Sequence, residues 1–392
     1  MESYSTNVNR NDFNFSMSKV LHQPSGKDIY PLAKEPASFF AMKQLQFNIH
    51  RTFGVKQANR YLISKQVQNL LKDNFPKIIL RTDVANFYES VPQFRLLRII
   101  NNNQLLTPKS KRLIKSLLFS YNNLSNQQGI PERDQVGIPR GIGISAYLAE
   151  LYMRDIDEKI NRLDGITYYA RYVDDIIVLF TPSWKLTEPD YISKVENVIQ
   201  QSGLNINNAK TYCHDIQKDQ SEINIEFLGY IFKLKTSEYQ GTSMSKRKID
   251  KYLERINKSI DKYFEQLEFA PKKASKLLIH RFNYLTKNTR LHKPKKGLVG
   301  IYYSNSLIEQ DCGDLLFLDE ELHKIVDAKL PVSQFPKLNQ KLKKYSFNDG
   351  FVNRSFFNIN SKKKNISDLR PIRLKENKKL TNNFERVISI WK

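Results

Sequence analysis

The sequence predicts an α+β fold, with strands and helices intermixed to about residue 240 and a helical, strongly basic region beyond it. Two patterns carry this reading. Before residue 240, short apolar runs rich in β-branched and aromatic residues alternate with stretches of helical periodicity, punctuated by Gly and Pro. After Ser245, Ile249, Tyr252, Leu253, Ile256, Ile260, Tyr263, Phe264 and Leu267 recur at helical spacing. A length of 392 residues suits two or three domains. The expected division is 1–240, 241–330 and 331–392.

Taken in order, residues 1–20 are Asn- and Ser-rich and expected to be loosely ordered. From Phe39 to about Leu71 the apolar residues keep helical spacing, interrupted at Gly54. Ile78-Ile79-Leu80 after Pro76 reads as a buried strand leading into Asp83. A helix is expected from Pro108 to Phe119, then a Gly/Pro-marked loop from Gly129 to Gly143, then a helix from Ile144 to about Leu163. Tyr168 to Phe180 reads as strand, tight turn, strand around Val173-Asp174-Asp175. A helix from Tyr191 to Gln201 stops before Gly203, Glu226 to Leu234 is β-like around Gly229, and Pro271 opens a further helix.

Composition narrows the function class. With 40% hydrophobic residues the chain is globular, and no apolar run is long enough to cross a bilayer. The N-terminal MESYSTNVNR lacks the layout of a secretion signal, and Cys213 and Cys312 are too few for a disulfide framework. A reducing cytoplasm and no membrane partner are the expectation. The net charge is +23, with 33 Lys and Arg against 16 Asp and Glu in residues 241–392 but only 30 against 24 before them. A surface this basic suits a polyanion, because neutralised phosphates release their counterions.

Three acids carry the chemistry. Asp174 and Asp175 sit in a tight turn between strongly apolar strands, which would present them side by side at a sheet end. Adjacent carboxylates repel unless a cation lies between them, although Asp is also an ordinary turn residue. Asp83 ends a separate apolar strand, where a helix N-cap is the plainer reading. If the two strands are neighbours, the acids meet at one edge. Joining a nucleotide to a chain end by in-line displacement calls for such a cluster, to hold two divalent ions about 4 Å apart.

Five segments in order resemble the successive motifs of reverse transcriptases: TDVANFYESV around Asp83, VGIPRGIGIS at 136–145, RYVDDIIVLF around the acid pair, GLNINNAKT at 203–211 and EFLGYIF at 226–232. The resemblance covers about residues 20–240. It implies a right-hand polymerase, with fingers and palm in 1–240, a helical basic thumb in 241–330 and a basic extension in 331–392. It makes Asp83, Asp174, Asp175 and the Val84 carbonyl ligands of two Mg2+ ions, with Mn2+ as the alternative ion, and puts Lys210 near the triphosphate. Arg81, Phe87, Tyr88, Arg140 and Gly141 become nucleotide contacts. Tyr88, five residues after Asp83, is the bulk that would exclude a ribose 2′-hydroxyl. Tyr172 and Gly229 become contacts to nucleic acid.

Pro139-Arg140-Gly141 departs from the PQG of many reverse transcriptases, and it aligns the chain with bacterial antiphage-defence enzymes of the abortive-infection kind. Its expected partners are an RNA template or non-coding RNA, a DNA product, dNTPs, and a second reverse transcriptase or another copy of the chain. A retron or intron-type enzyme copying a dedicated RNA, and an idle RNA-binding scaffold, are the rival readings.

Residues 271–300 hold nine Lys or Arg and no acid. Lys272, Lys273, Lys276, Arg281, Lys287 and Arg290, continuing through Lys293, Lys295 and Lys296, therefore read as a phosphate-tracking surface. Lys362 to Lys379 form a second basic stretch.

Overall fold

The computed structural model describes residues 13–22, 26–56, 58–219, 221–291, 297–309, 313–357 and 387–391. Lys293, Lys295, Lys296, Cys312 and the basic stretch from Lys362 to Lys379 lie outside them. The chain forms two compact units, Met1–Ile223 with Lys235–Glu238, and Asn224–Leu234 with Tyr239–Lys392.

The first unit opens with the antiparallel pair β1 (Val20–His22) and β2 (Lys27–Ile29). Helix α1 (Pro36–Phe53) ends on Gly54 at φ 62, the left-handed conformation that glycine adopts without a Cβ clash. Helix α2 (Arg60–Lys72) starts on Asn59, whose side chain caps two backbone N–H groups. After β3 (Ile78–Asp83) come α3 (Phe87–Ser90), α4 (Gln93–Asn102), α5 (Pro108–Leu124) and α6 (Gly143–Asn161). The unit closes with β4 (Ile166–Tyr172), β5 (Asp175–Phe180), α7 (Glu188–Gln201) and β6 (Tyr212–Asp215).

Strands β3 to β6 make one antiparallel sheet in the order β4-β5-β3-β6. Ile78 and Leu80 of β3, with Ile176, Val178 and Phe180 of β5, join the same core as Leu148, Tyr152 and Ile156 of α6 and Tyr191, Val195 and Ile199 of α7. Strand residues alternate faces, so Arg81 and Asp83 point to the other side of the sheet. The pleat thus puts the acid on the face away from this helical core.

The second unit contains β7 (Glu222–Phe227), β8 (Tyr230–Lys235) and β9 (Glu238–Met244) in one sheet. Leu228 at φ 48 and Gly229 at φ 77 form the two-residue turn between β7 and β8, with the positive φ at both centres that a tight hairpin requires. Helices α8 (Lys246–Leu267) and α9 (Pro271–Thr286) pack together. They are followed by strands β10 (Asn288–Leu291) and β11 (Gly297–Gly300), then α10 (Ile301–Ser304), α11 (Asp314–Lys329), α12 (Pro336–Leu342) and α13 (Phe347–Val352).

Three differences from the sequence reading stand out. The β7–β8 hairpin groups with the second unit, so the division is not a single cut near 240. The region after 240 is not purely helical, because Asn288 and Thr289 are buried and pair with β11. Residues 336–352 add helices packed on α9 and α11 instead of forming a separate extension. Among the described residues, no helix is long and apolar enough to cross a membrane.

Candidate active site

The β3–β5 register pairs Asp83 directly with Asp175. The two acids come from strands more than ninety residues apart and share one face of the sheet. Beyond Asp83, the Val84 N–H donates to the Asp174 carbonyl at 3.0 Å, which ties the end of β3 to the β4–β5 turn. That turn holds Val173 at φ 62, a left-handed conformation costly for a β-branched residue. Asp174 follows it and is half-buried.

Asp83 is 4% exposed. Its Oδ2 accepts from Lys210 Nζ at 2.5 Å, while its Oδ1 is buried without a hydrogen-bond partner among the described residues. Lys210 arrives on a short turn whose backbone is fixed to the same strand end: Asn207 N–H donates to the Asp83 carbonyl at 2.8 Å, and Ala85 N–H to Asn205 at 2.8 Å. Asp175 accepts from Arg81 at 2.7 Å, and Arg81 also donates to the Lys210 carbonyl at 2.8 Å. Burial pushes the Asp175 carboxyl above its usual range. Arg81 opposes that shift, whereas the neighbouring Asp174 and Asp83 add to it.

Among the described residues, no three His, Cys, Asp or Glu side chains stand together as a ready metal cluster. Instead, Lys210 and Arg81 supply the positive charge beside Asp83 and Asp175. The donor set still fits a hard divalent cation: carboxylate oxygens on opposed register positions, one of them buried and unpartnered. An orphaned buried carboxylate oxygen costs about 1–3 kcal/mol unless something satisfies it.

The loop before α6 borders the same centre. Its Ile138 N–H donates to the Tyr88 carbonyl at 2.7 Å, and Gly137 N–H to Val91 at 2.8 Å. Gly137 has φ 89, and a Cβ there would stand 2.5 Å from the Tyr121 hydroxyl, so only glycine fits. Arg140 forms a two-pronged pair with Glu89 at 3.0 and 3.1 Å, and its guanidinium lies 4.9 Å over the Tyr88 ring. Burial raises the Tyr88 hydroxyl pKa, Arg140 opposes this, and Asp174 and Tyr172 reinforce it. Tyr88, Arg140, Asp174 and Tyr172 therefore lie within electrostatic reach of one another.

Several expected site residues are placed otherwise. Phe87 is fully buried, and its ring is part of the core. Arg81 pairs with Asp175 and donates to the Lys210 carbonyl, which puts it beside the acids. Arg281 is 1% exposed inside the second unit and offers phosphate nothing. Lys272, Lys273, Lys276 and Arg290 are exposed on or beside α9, and Lys287 is half-buried with its ammonium 5.9 Å over Tyr345. Gly229 sits in the β7–β8 turn of the second unit.

One network escaped the sequence reading. Arg171, 8% exposed, donates to both Glu150 and Asp157 of α6 at 2.7–3.2 Å and to the Val173 carbonyl at 2.9 Å. Tyr169 adds a 2.6 Å bond to Asp157. The acids clamp the root of the hairpin to the helix. The seven-residue spacing of Glu150 and Asp157 on one helix face was the available signal.

The family profile for reverse transcriptase (RNA-dependent DNA polymerase) matches residues 31–232, just over half of the chain. The chain belongs to this family. The match spans β3, the β4–β5 hairpin and the Lys210 turn. It makes the protein a nucleotidyltransferase, an RNA-directed DNA polymerase with the fingers-and-palm fold, and it implies an RNA template, a DNA product and dNTP substrates. No curated protein sequence matches the chain significantly.

Proposed function

We propose that this reverse transcriptase joins dNTPs by a two-metal mechanism centred on Asp83, Asp174 and Asp175. The observation that carries the reading is the direct register pairing of Asp83 with Asp175, together with the unpartnered, buried Oδ1 of Asp83. The three carboxylates and the Val84 carbonyl would hold two magnesium or manganese ions. Bound there, the ions supply activation of the primer 3′-hydroxyl and neutralisation of the triphosphate.

The chain's own residues do the rest. Lys210, half exposed while its ammonium touches Asp83, is free to swing toward a triphosphate and stabilise or protonate the departing pyrophosphate. Tyr88, held beneath Arg140, presents its ring as the bulk that turns away a ribose 2′-hydroxyl. Arg140 and Gly141 border the incoming nucleotide, with Tyr172 against the primer end. In the second unit the β7–β8 turn at Gly229 and the exposed Lys272, Lys273 and Lys276 bind the duplex, giving that unit the role of a thumb.

The Pro139-Arg140-Gly141 triplet supports a place in bacterial antiviral defence, with a non-coding RNA as the partner. Sequencing the nucleic acid that copurifies tests this. Repetitive or untemplated product agrees with it, and a single complementary DNA copied from one dedicated RNA assigns the enzyme to the retron or intron kind.

Asp174→Asn is expected to lower dNTP incorporation at least about 1000-fold in magnesium while RNA binding persists. Incorporation at the wild-type rate would remove the mechanism. Tyr88→Ala is expected to raise ribonucleotide over deoxynucleotide use by about 10- to 100-fold, read from single-nucleotide extension.

A further inference from the structure

Helices α4 and α5 of the first unit flank an open groove of about 830 Å³ that the polymerase reading leaves unused. None of Asp83, Tyr88, Arg140, Asp174, Asp175 or Lys210 lines it. From α4 it takes Phe94, Arg98 and Asn101, spaced four and three residues apart on one helix face. From α5 it takes Lys109, Lys115 and Phe119.

Three features of the lining point to one class of occupant. Its cations number four against a single acid, Glu132, and Arg98, Lys109 and Lys115 make no ion pair among the described residues. Phe94 and Phe119 are 48% and 58% exposed and put two large apolar rings on one groove. Nine Asn and Gln side chains complete the lining, of which Asn14, Asn101, Asn102, Asn123 and Gln128 are exposed. Carboxamides offer both donors and acceptors, as base edges do. The groove is also preformed. Its floor is an amide chain in which Gln93 and Asn122 exchange bonds at 2.7 and 3.0 Å, and Asn122 donates to Gln135 at 2.7 Å.

We propose that the α4–α5 groove is a second nucleic-acid site that binds an unpaired strand, with bases stacked on Phe94 and Phe119 and phosphates on Arg98, Lys109 and Lys115. A duplex hides the faces of its bases and would leave both rings in water, whereas a single strand uses ring, charge and amide together. The site stands independently of the mechanism proposed for the carboxylates.

The test uses the full chain and a fluorescein-labelled, U-rich 12-nucleotide RNA carrying 4-thiouridine, with the deoxy strand as a parallel arm. The wild type is expected to cross-link to peptides of α4 and α5. Phe94→Ala and Phe119→Ala should each weaken strand binding about tenfold while extension of an annealed primer–template stays within about twofold. Arg98→Gln with Lys115→Gln, both exposed positions that folding does not need, should flatten the salt dependence of log affinity by about 1.4. Tighter RNA binding assigns the groove to a template or guide RNA, and tighter DNA binding assigns it to the product strand. Cross-links confined to residues 136–145 and 166–180 with unchanged affinity in all variants overturn the proposal. So does a change of oligomeric state in place of strand affinity, which would make the groove a protein interface. A wild type inert in extension yet cross-linked at α4 and α5 would count against the polymerase mechanism alone.

Discussion

Arg171 in the first unit and Arg281 in the second are both withdrawn from solvent, and their surroundings are opposite. Arg171 meets two carboxylates and a turn carbonyl, and although burial alone would lower its pKa, Asp157 and Glu150 hold it above the ordinary guanidinium value. Arg281 has an Nε and a terminal nitrogen with no hydrogen-bond partner among the described residues, and burial pushes its pKa down to about 10 against the opposing pull of Glu265. Burying a charge is expensive, and only a well-formed set of opposite charges offsets it. The first arrangement fixes the β4–β5 hairpin that bears Asp174 and Asp175. The second gives its unit no comparable return.

The comparison can be broken at either end. Arg171→Met strips Glu150 and Asp157 of their shared cation, leaving Asp157 its Tyr169 bond, and is expected to lower unfolding free energy by about 3–5 kcal/mol in chemical denaturation. A cost below about 1 kcal/mol would mean that the clamp is ornamental. Arg281→Met should act in the other direction, stabilising by about 1 kcal/mol or more, because an apolar chain of similar length removes the desolvation penalty. The sign with pH is fixed too: a base whose folded pKa is depressed is penalised at every pH below that value. The gain from Arg281→Met should therefore be flat from about pH 6 to 9 and shrink only above about pH 10. A gain that varies with neutral pH would point to a different cause.

The smallest effect belongs to Asp175, which lies between these extremes with two cations, Arg81 and Lys210, and two like-charged neighbours, Asp174 and Asp83. Its folded pKa is raised, so the stability it contributes is present at low pH and lost as pH rises through the folded value. Asp175→Asn should thus be more stable than wild type near neutrality, by within about 1 kcal/mol, with the advantage vanishing as pH falls through the carboxylate range. Added magnesium should narrow the difference in thermal shift by stabilising the wild type alone.

Much of the candidate site was legible because its motifs join residue type to local geometry. Two acids in a turn between apolar strands, and a third at the end of an apolar run, predict a sheet edge before any neighbour is known. Arg140 shows the limit of such reading. Its triplet was visible, but its pairing with Glu89 and its stacking on Tyr88 depend on how the loop folds back over α3. Helix α4 went unread although Phe94, Leu96, Leu97, Ile99 and Ile100 make half of its ten residues apolar, whereas the short strands β10 and β11 carry no alternation strong enough to announce them.

The sequence by itself determined the family, the order of the strands and helices that bear the acids, and the basic character of the second unit. Those properties follow from local periodicity and from residue types that chemistry restricts. Only the tertiary structure decided that Asp83 faces Asp175, that Lys210 and Arg81 supply their counter-charges, that Phe87 is core, and that Arg171 is clamped while Arg281 is stranded. Partners across strands and helices are set by register and packing over long sequence separations, and the same charged letter is solvated, paired or orphaned according to what the fold brings beside it.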